Sequence, residues 1–206
     1  MVKNVKVDLG GYKLYNYNQH NIYIYTYKRE SVTMIFYSKK EKDFLLLLAR
    51  TGYYCSSYRK HFNIHNNTLI NLFENELIEK KNPVIIYGKM MSRYVLTNKG
   101  KKVVRNHFAT KPYSGKSDQL EHDFVLGKIY LMIEEIERST WLTETDLSAM
   151  YPNEPVVDGV YTSVRNQKVG VEILTDNYSN SMIEERKSFI DKYCDKKIVI
   201  HTKELR

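Results

Sequence analysis

The sequence is poor in the residues that build disulfide frameworks, flexible linkers and membrane spans. It has two cysteines, Cys55 and Cys194, four prolines and nine glycines. Because the cysteines lie far apart and show no CxxC spacing, we expect neither a disulfide framework nor a zinc site. The longest uninterrupted apolar run, residues 44–49, is far too short to cross a bilayer. The first residues show no signal-peptide core. These absences predict a cytoplasmic protein that has no membrane partner.

Positive charge is concentrated in the first part of the chain. Residues 1–116 contain 21 Lys and Arg against 7 Asp and Glu, whereas residues 117–206 contain 11 against 17. The net charges are therefore +14 and −6, which together give the +8 of the whole chain. A basic part attracts polyanions and an acidic part does not, so the split localises the expected contact with nucleic acid. The composition, 42% hydrophobic and 27% charged, is that of a folded globular protein.

The periodicity of the first part predicts strands and then helices. Alternation in residues 20–37 favours a β-hairpin, and we assign residues 1–38 to a β-rich N-terminal extension. Residues 39–110 predict, in order, a helix ending at Gly52, a short helix at 56–61, a helix at 66–76, two strands around Gly88 and a helix to about 108. We also expect a turn at Asn82-Pro83. This order is that of a winged helix-turn-helix domain. The segments INLFENELIEKK and SRYVLTNKGKKV resemble a stretch shared by many bacterial winged-helix proteins.

The second part predicts a different arrangement. A linker with Pro112 and Gly115 covers residues 111–117 and precedes a domain at 117–206. That domain is expected to contain a helix at 120–136, strands at 156–163 and 168–174, a helix at 180–193 and a strand at 197–201. The fold class is therefore α+β, with a winged helix-turn-helix followed by a small α/β domain.

A double-stranded DNA partner follows from the polar face of the third helix. The candidate base-reading residues on that face are His65, Asn66, Asn67, Thr68 and Asn71. Asparagine suits this role because its amide can pair bidentately with adenine in the major groove. The candidate phosphate contacts are Arg59, Lys60, Lys80, Lys81, Lys89 and Arg93. A protein-interaction module with a merely solvated basic face is the alternative.

Two carboxylates in the second domain have the spacing of a nuclease site. Asp158 begins one predicted strand and Glu172 lies 14 residues on, inside the next, as in PD-(D/E)xK enzymes of the restriction-endonuclease-like fold. In such sites the pair binds Mg²⁺, and Glu121 is a candidate third catalytic carboxylate. The expected lysine is replaced by Leu174, and Val157 stands where the proline would be. Lys187 is a candidate migrated lysine. The alternatives are a turn residue for Asp158 and a surface strand residue for Glu172.

The segments LEHDFVLGKIYLMIEEI and VDGVY…VGVEILTD, together with the winged-helix pattern, resemble the replication-relaxation family of plasmids and mobile elements. The resemblance implies a winged helix joined to a nuclease-like domain, with a His-Asp pair at His122-Asp123. It also implies DNA binding in plasmid replication, conjugative transfer or transcription, with replication or transfer proteins as partners.

Three functions therefore remain open. The first is a sequence-selective DNA-binding accessory or regulatory protein that needs no cofactor and is not an enzyme. The second is a Mg²⁺-dependent endonuclease that uses Asp158, Glu172 and Glu121. The third is an adaptor whose acidic domain docks onto another protein. A homodimer is compatible with each of them.

Overall fold

The computed structural model describes residues 6–9, 12–15, 37–113 and 119–205, and these residues form a mixed α+β fold. The helices are α1 (Lys39–Thr51), α2 (Asn66–Glu74), α3 (Asn98–Phe108), α4 (Leu120–Met132), α5 (Glu135–Arg138), α6 (Glu144–Met150) and α7 (Asn180–Tyr193). The strands are β1 (Lys6–Leu9), β2 (Tyr12–Tyr15), β3 (Tyr54–Cys55), β4 (Ile78–Ile86), β5 (Lys89–Leu96), β6 (Leu142–Thr143), β7 (Gly159–Thr162), β8 (Lys168–Leu174) and β9 (Lys196–His201). Two 3₁₀ helices cover Ser56–Lys60 and Thr202–Leu205. None of the described helices combines the length and the apolar character that crossing a membrane requires.

The strands form three sheets. Strands β1 and β2 pair antiparallel. The hairpin expected at residues 20–37 lies outside the described residues, apart from Tyr37. A second sheet has the order β3-β5-β4 and is antiparallel throughout. The third has the order β6-β7-β8-β9, in which β9 runs parallel to β8 and the other neighbours are antiparallel. We call residues 37–113 the first unit and residues 119–205 the second unit.

Local signals in the sequence explain the elements of the first unit. Helix α1 begins with a capping box, in which the side chains of Ser38 and Glu41 each bond to the other's backbone N–H, and it ends at Gly52 with a φ of +89°. The β4–β5 hairpin turns through Tyr87 and Gly88, both with positive φ, which matches the twist of the paired strands. The turn expected at residues 82–83 is wrong, because this segment is a bulge inside β4.

The second unit differs from its expected layout in two places. The helix expected to reach residue 136 ends at Met132, and a separate short helix, α5, follows. Met132 and Ile136, two apolar residues of the segment at 120–136, are 61% and 67% exposed. Helix α6 was not expected, and it begins where Thr143 and Asp146 form a second capping box. Helix α7 has the predicted limits.

The two units share one hydrophobic core, and tyrosines make much of the contact between them. The Tyr53 hydroxyl donates to the Leu120 carbonyl at 2.7 Å, and the Tyr58 hydroxyl donates to the Phe124 carbonyl at 2.7 Å. The rings of Tyr58 and Phe124 stack with centroids 5.6 Å apart. Gly127 permits this approach, because a Cβ there would collide with the Tyr58 hydroxyl. Several of the 18 tyrosines therefore connect the units.

Candidate functional site

Helix α2, expected to read bases, presents polar side chains at its N-terminal end. His65, Asn66 and Asn67 are exposed and Thr68 is half-buried. His65 precedes the first turn in an extended conformation, and its ring makes no capping hydrogen bond. On the opposite face Leu72, 1% exposed, fixes the helix to the core. The N-terminal end of α2 is therefore a polar surface on a firmly packed helix.

Asn71 lies on the same helix, but its side chain already has partners within the protein. Its amide Nδ2 donates to Glu41 Oε1, and its Oδ1 accepts from the Asn75 amide at 2.9 Å. Glu41 is 6% exposed and belongs to the cap of α1. In this structure Asn71 therefore connects α2 to α1, and base reading by its amide stays a prediction.

Five of the six expected phosphate contacts are exposed cations. They are Arg59, Lys60, Lys80, Lys81 and Lys89. Arg59 and Lys60 end the 3₁₀ helix that precedes α2, and the three lysines lie on the β4–β5 hairpin. Lys81 differs from the others because its Nζ lies 2.9 Å from Glu79 Oε1. No ion pair among the described residues involves the other four, which therefore give the first unit positive charge around α2 and the hairpin.

Arg93 does not belong to this exposed set. It lies opposite Lys81 across the β4–β5 pair, is half-buried, and places its guanidinium 5.7 Å from the centre of the Tyr53 ring. Its Nε is buried and has no hydrogen-bond partner among the described residues. Arg93 therefore faces the boundary between the two units, which the sequence did not indicate.

The structure brings the two nuclease-like carboxylates together. Asp158 immediately precedes β7, Glu172 lies within β8, and Gly159 pairs with Val171 across these strands. The Asp158 backbone N–H donates to Glu172 Oε2 at 3.2 Å, and the Ile173 N–H donates to Asp158 Oδ2 at 2.7 Å. Asp158 and Glu172 are only 6% and 2% exposed. Asp158 and Glu172, which the sequence spacing placed on neighbouring strands, are therefore in contact, and both are buried.

His122 on α4 completes the cluster around Asp158. Its Nε2 lies 3.0 Å from Asp158 Oδ1 and its Nδ1 lies 3.1 Å from Asp123 Oδ1, which also accepts from the Tyr113 hydroxyl at 3.0 Å. Burial alone would lower the pKa of His122, but the charge of Asp158 and the hydrogen bonds to both carboxylates raise that pKa to about 10. His122 is therefore an imidazolium at neutral pH, held between two carboxylates.

Glu172 has a cation on its other side. Arg186 Nε lies 3.7 Å from Glu172 Oε1, and Arg186 Nη2 lies 3.7 Å from Glu144 Oε1. Burial, and then the charge of Asp158, raise the pKa of Glu172 to about 9 against the opposing effect of Arg186. The sequence suggested Lys187 for this position, but the Lys187 Nζ instead pairs with Glu184 Oε1 at 2.8 Å along the same helix.

The donors of the cluster do not fit Mg²⁺. That ion requires an octahedral set of oxygens, usually with several waters. Both oxygens of Asp158 already accept hydrogen bonds, one facing the cationic ring of His122, and Glu172 Oε2 accepts from the Asp158 N–H. Glu172 Oε1 has no hydrogen-bond partner among the described residues, but it faces the cationic Arg186 at 3.7 Å. Among the described residues, no group of three His, Cys, Asp or Glu side chains has an arrangement suited to a metal ion.

The other positions that the sequence analysis compared with the PD-(D/E)xK pattern are Glu121, Leu174 and Val157. Glu121, the expected third carboxylate, is half-buried, and its neighbour His122 is the α4 side chain in contact with Asp158. Leu174 is 1% exposed and lies two residues after Glu172, hence on the same face of β8. Val157 is fully buried. Apolar packing therefore occupies the positions at which the family pattern has lysine and proline.

Arg186 and Tyr113 belong to the cluster and were missed from the sequence. Arg186 did carry a signal, because it lies four residues before the buried Ile190 and so interrupts the apolar side of α7. Tyr113 carried none, since it falls in a stretch that reads as a linker.

Comparisons with protein-family models, with curated proteins and with solved structures gave no significant match. The function must therefore be argued from the geometry of the chain itself.

Proposed function

We propose that this protein is a sequence-selective double-stranded DNA-binding protein. In this proposal the first unit is a winged helix-turn-helix, with α2 as its recognition helix and the β4–β5 hairpin as its wing. The second unit has a restriction-endonuclease-like fold that serves as a scaffold and not as a nuclease.

The order of elements in the first unit carries the proposal. A helix, a short strand, a short helix and α2 are followed by a hairpin, and the three strands assemble in the order β3-β5-β4. That arrangement is expected of a winged helix, in which the helix before the hairpin enters the major groove. The exposed His65, Asn66 and Asn67 lie at the N-terminal end of that helix, where recognition helices contact base edges.

Charge supports the same assignment. Residues 1–116 have a net charge of +14, and Arg59, Lys60, Lys80 and Lys89 are exposed on the elements that flank α2. Contacts of this kind set the position of a protein on DNA without reading its sequence. The acidic second unit would be repelled by the same phosphates, which favours a single face of contact on the first unit.

The contacts that Asp158 and Glu172 make within the second unit support a scaffold function for this unit. Its order of α4, the antiparallel β6-β7-β8, α7 and the parallel β9 is expected of the nuclease-like core. The carboxyl oxygens that a metal would bind face the His122 ring, the Arg186 guanidinium and backbone N–H groups here. The process served is proposed only from the resemblance to replication-relaxation proteins, namely plasmid replication, conjugative transfer or transcription.

The proposal is tested by selecting duplexes from a randomised pool and measuring affinity by fluorescence anisotropy. We expect one duplex sequence to be enriched. We expect Asn67→Ala to reduce the difference in binding free energy between this duplex and a scrambled one by about 1–3 kcal/mol. Asn106→Ala, an exposed asparagine on α3, is the matched control and should leave that difference unchanged. Lys89→Ala should weaken both duplexes equally and reduce the slope of log affinity against log salt by about 0.9. Failure to enrich any duplex would contradict the proposal.

A further inference from the structure

A basic cavity lies at the boundary between the two units. Its volume is about 310 Å³, and both units supply its walls. The polar lining consists of Tyr53, Glu79, Lys81, Arg93, Lys101, Tyr113 and Asp123, and part of the remaining wall is apolar. A cavity of this size with a few convergent polar groups is typical of a site for a small molecule.

The charges of the lining leave two cations without a carboxylate. Lys81 is paired with Glu79 at 2.9 Å, and Asp123 faces His122 and Tyr113. Within the part of the chain that the structure describes, no ion pair joins Arg93 or Lys101 to a carboxylate. The lining therefore has positive charge available to bind an anion, and the groups that would bind it are Arg93 on β5 and Lys101 on α3.

The position of Arg93 indicates which class of anion the cavity would bind. Its guanidinium is held 5.7 Å from the centre of the Tyr53 ring, and its Nε is buried without a hydrogen-bond partner among the described residues. The planar guanidinium matches the paired oxygens of a phosphate, and a lysine adds a point charge beside it.

The apolar part of the wall limits the rest of the ligand. Leu48, Val95, Pro112 and Leu120 contribute carbon surface beside the cations. Inorganic phosphate alone would leave this surface uncovered, whereas a phosphate ester would cover it with its organic part. We propose that the cavity binds a phosphate group, carried by a small phosphate ester, through Arg93 and Lys101. Because the walls come from both units, the bound ester would stabilise their contact.

The inference is argued from the cavity lining and does not rest on the proposed DNA binding. The phosphate of a DNA backbone nevertheless has the same chemistry as that of a small ester. The experiment separates these sources with adenosine monophosphate, inorganic pyrophosphate and a 20-bp duplex as three probes. Binding of each is measured by calorimetry on the full chain and on three variants, Arg93→Met, Lys101→Met and Lys102→Met. Lys102 is the matched control, because it is the exposed neighbour of Lys101 on α3 and does not line the cavity.

We expect adenosine monophosphate to bind the wild type and to bind Lys101→Met and Arg93→Met about tenfold or more weakly, while Lys102→Met changes its affinity less than about twofold. If Arg93→Met does not fold, the comparison of Lys101→Met with Lys102→Met still tests whether the cavity binds the phosphate. If only the duplex binds, and Lys101→Met weakens it more than Lys102→Met does, the phosphate belongs to DNA. Equal effects of Lys101→Met and Lys102→Met on all three probes, or no binding of any probe, would overturn the proposal.

Discussion

The ring of His122, on helix α4, lies within 3.0 Å of Asp158, which immediately precedes strand β7. This contact fixes the helix to the sheet. The carboxylates therefore stabilise the fold of the second unit through a buried histidine, and His122 and Asp158 depend on each other for charge balance.

Replacement of His122 by Gln should destabilise the protein in a pH-dependent way. The folded-state pKa of His122 is raised from 6.5 to about 10, so its stabilising effect is fully present below pH 6.5 and is lost as the pH rises through about 10. We expect His122→Gln to lower the free energy of unfolding by roughly 3–5 kcal/mol at pH 6, because it leaves buried carboxylates unpaired. Urea denaturation should show that the difference in unfolding free energy between wild type and His122→Gln is smaller at pH 9.5 than at pH 6. A difference that does not change with pH would rule out this charge state.

Adjacent cations on α7 provide a second comparison. Arg186 is only 20% exposed at its side chain and faces the buried Glu172, whereas Lys187 is 44% exposed and pairs with Glu184. Arg186→Met should lower the free energy of unfolding by roughly 1–3 kcal/mol, since it removes the cation beside a buried carboxyl group. Lys187→Met, which removes the same charge one residue away, should change it by less than about 0.5 kcal/mol. Denaturant titrations of both variants check this, and equal losses would contradict the assignment of Arg186.

Asparagines on α2 should separate stability from recognition. Asn71→Ala removes the donor to the buried Glu41 and the acceptor for Asn75, so we expect it to cost about 1–3 kcal/mol of unfolding free energy. Asn67 is exposed, and Asn67→Ala should remain within about 0.5 kcal/mol of wild type. Thermal unfolding of the two variants provides the measurement. An unchanged stability of Asn71→Ala would contradict this structural role of Asn71.

Much of the fold was predictable because its signals are local. The helix limits at Gly52 and at residues 180–193 follow from caps and from three- and four-residue periodicity, and the structure confirms both. Helix α6 was missed because seven residues are too few to show a period. The turn at residues 82–83 was wrong because a proline in an edge strand can equally mark a bulge.

The candidate site was predictable only in part, because its contacts are long-range. The spacing of Asp158 and Glu172 correctly indicated two neighbouring strands. The approach of Arg186 and the orientation of Arg93 depend on how helices and units pack, and no spacing encodes that. For the same reason the bond between Asn71 and Glu41 was not foreseen, because it is a tertiary contact.

The central claim is that the protein binds DNA without cutting it, and one gel tests this most directly. Supercoiled plasmid is incubated with wild type and with Glu172→Gln, each with and without Mg²⁺ or Mn²⁺. Our account predicts that both proteins retard the plasmid and leave it supercoiled in every lane, because the oxygens of Asp158 and Glu172 already face His122, Arg186 and backbone N–H groups. Nicking or linearisation that requires both the metal and Glu172 would contradict the account and establish an endonuclease.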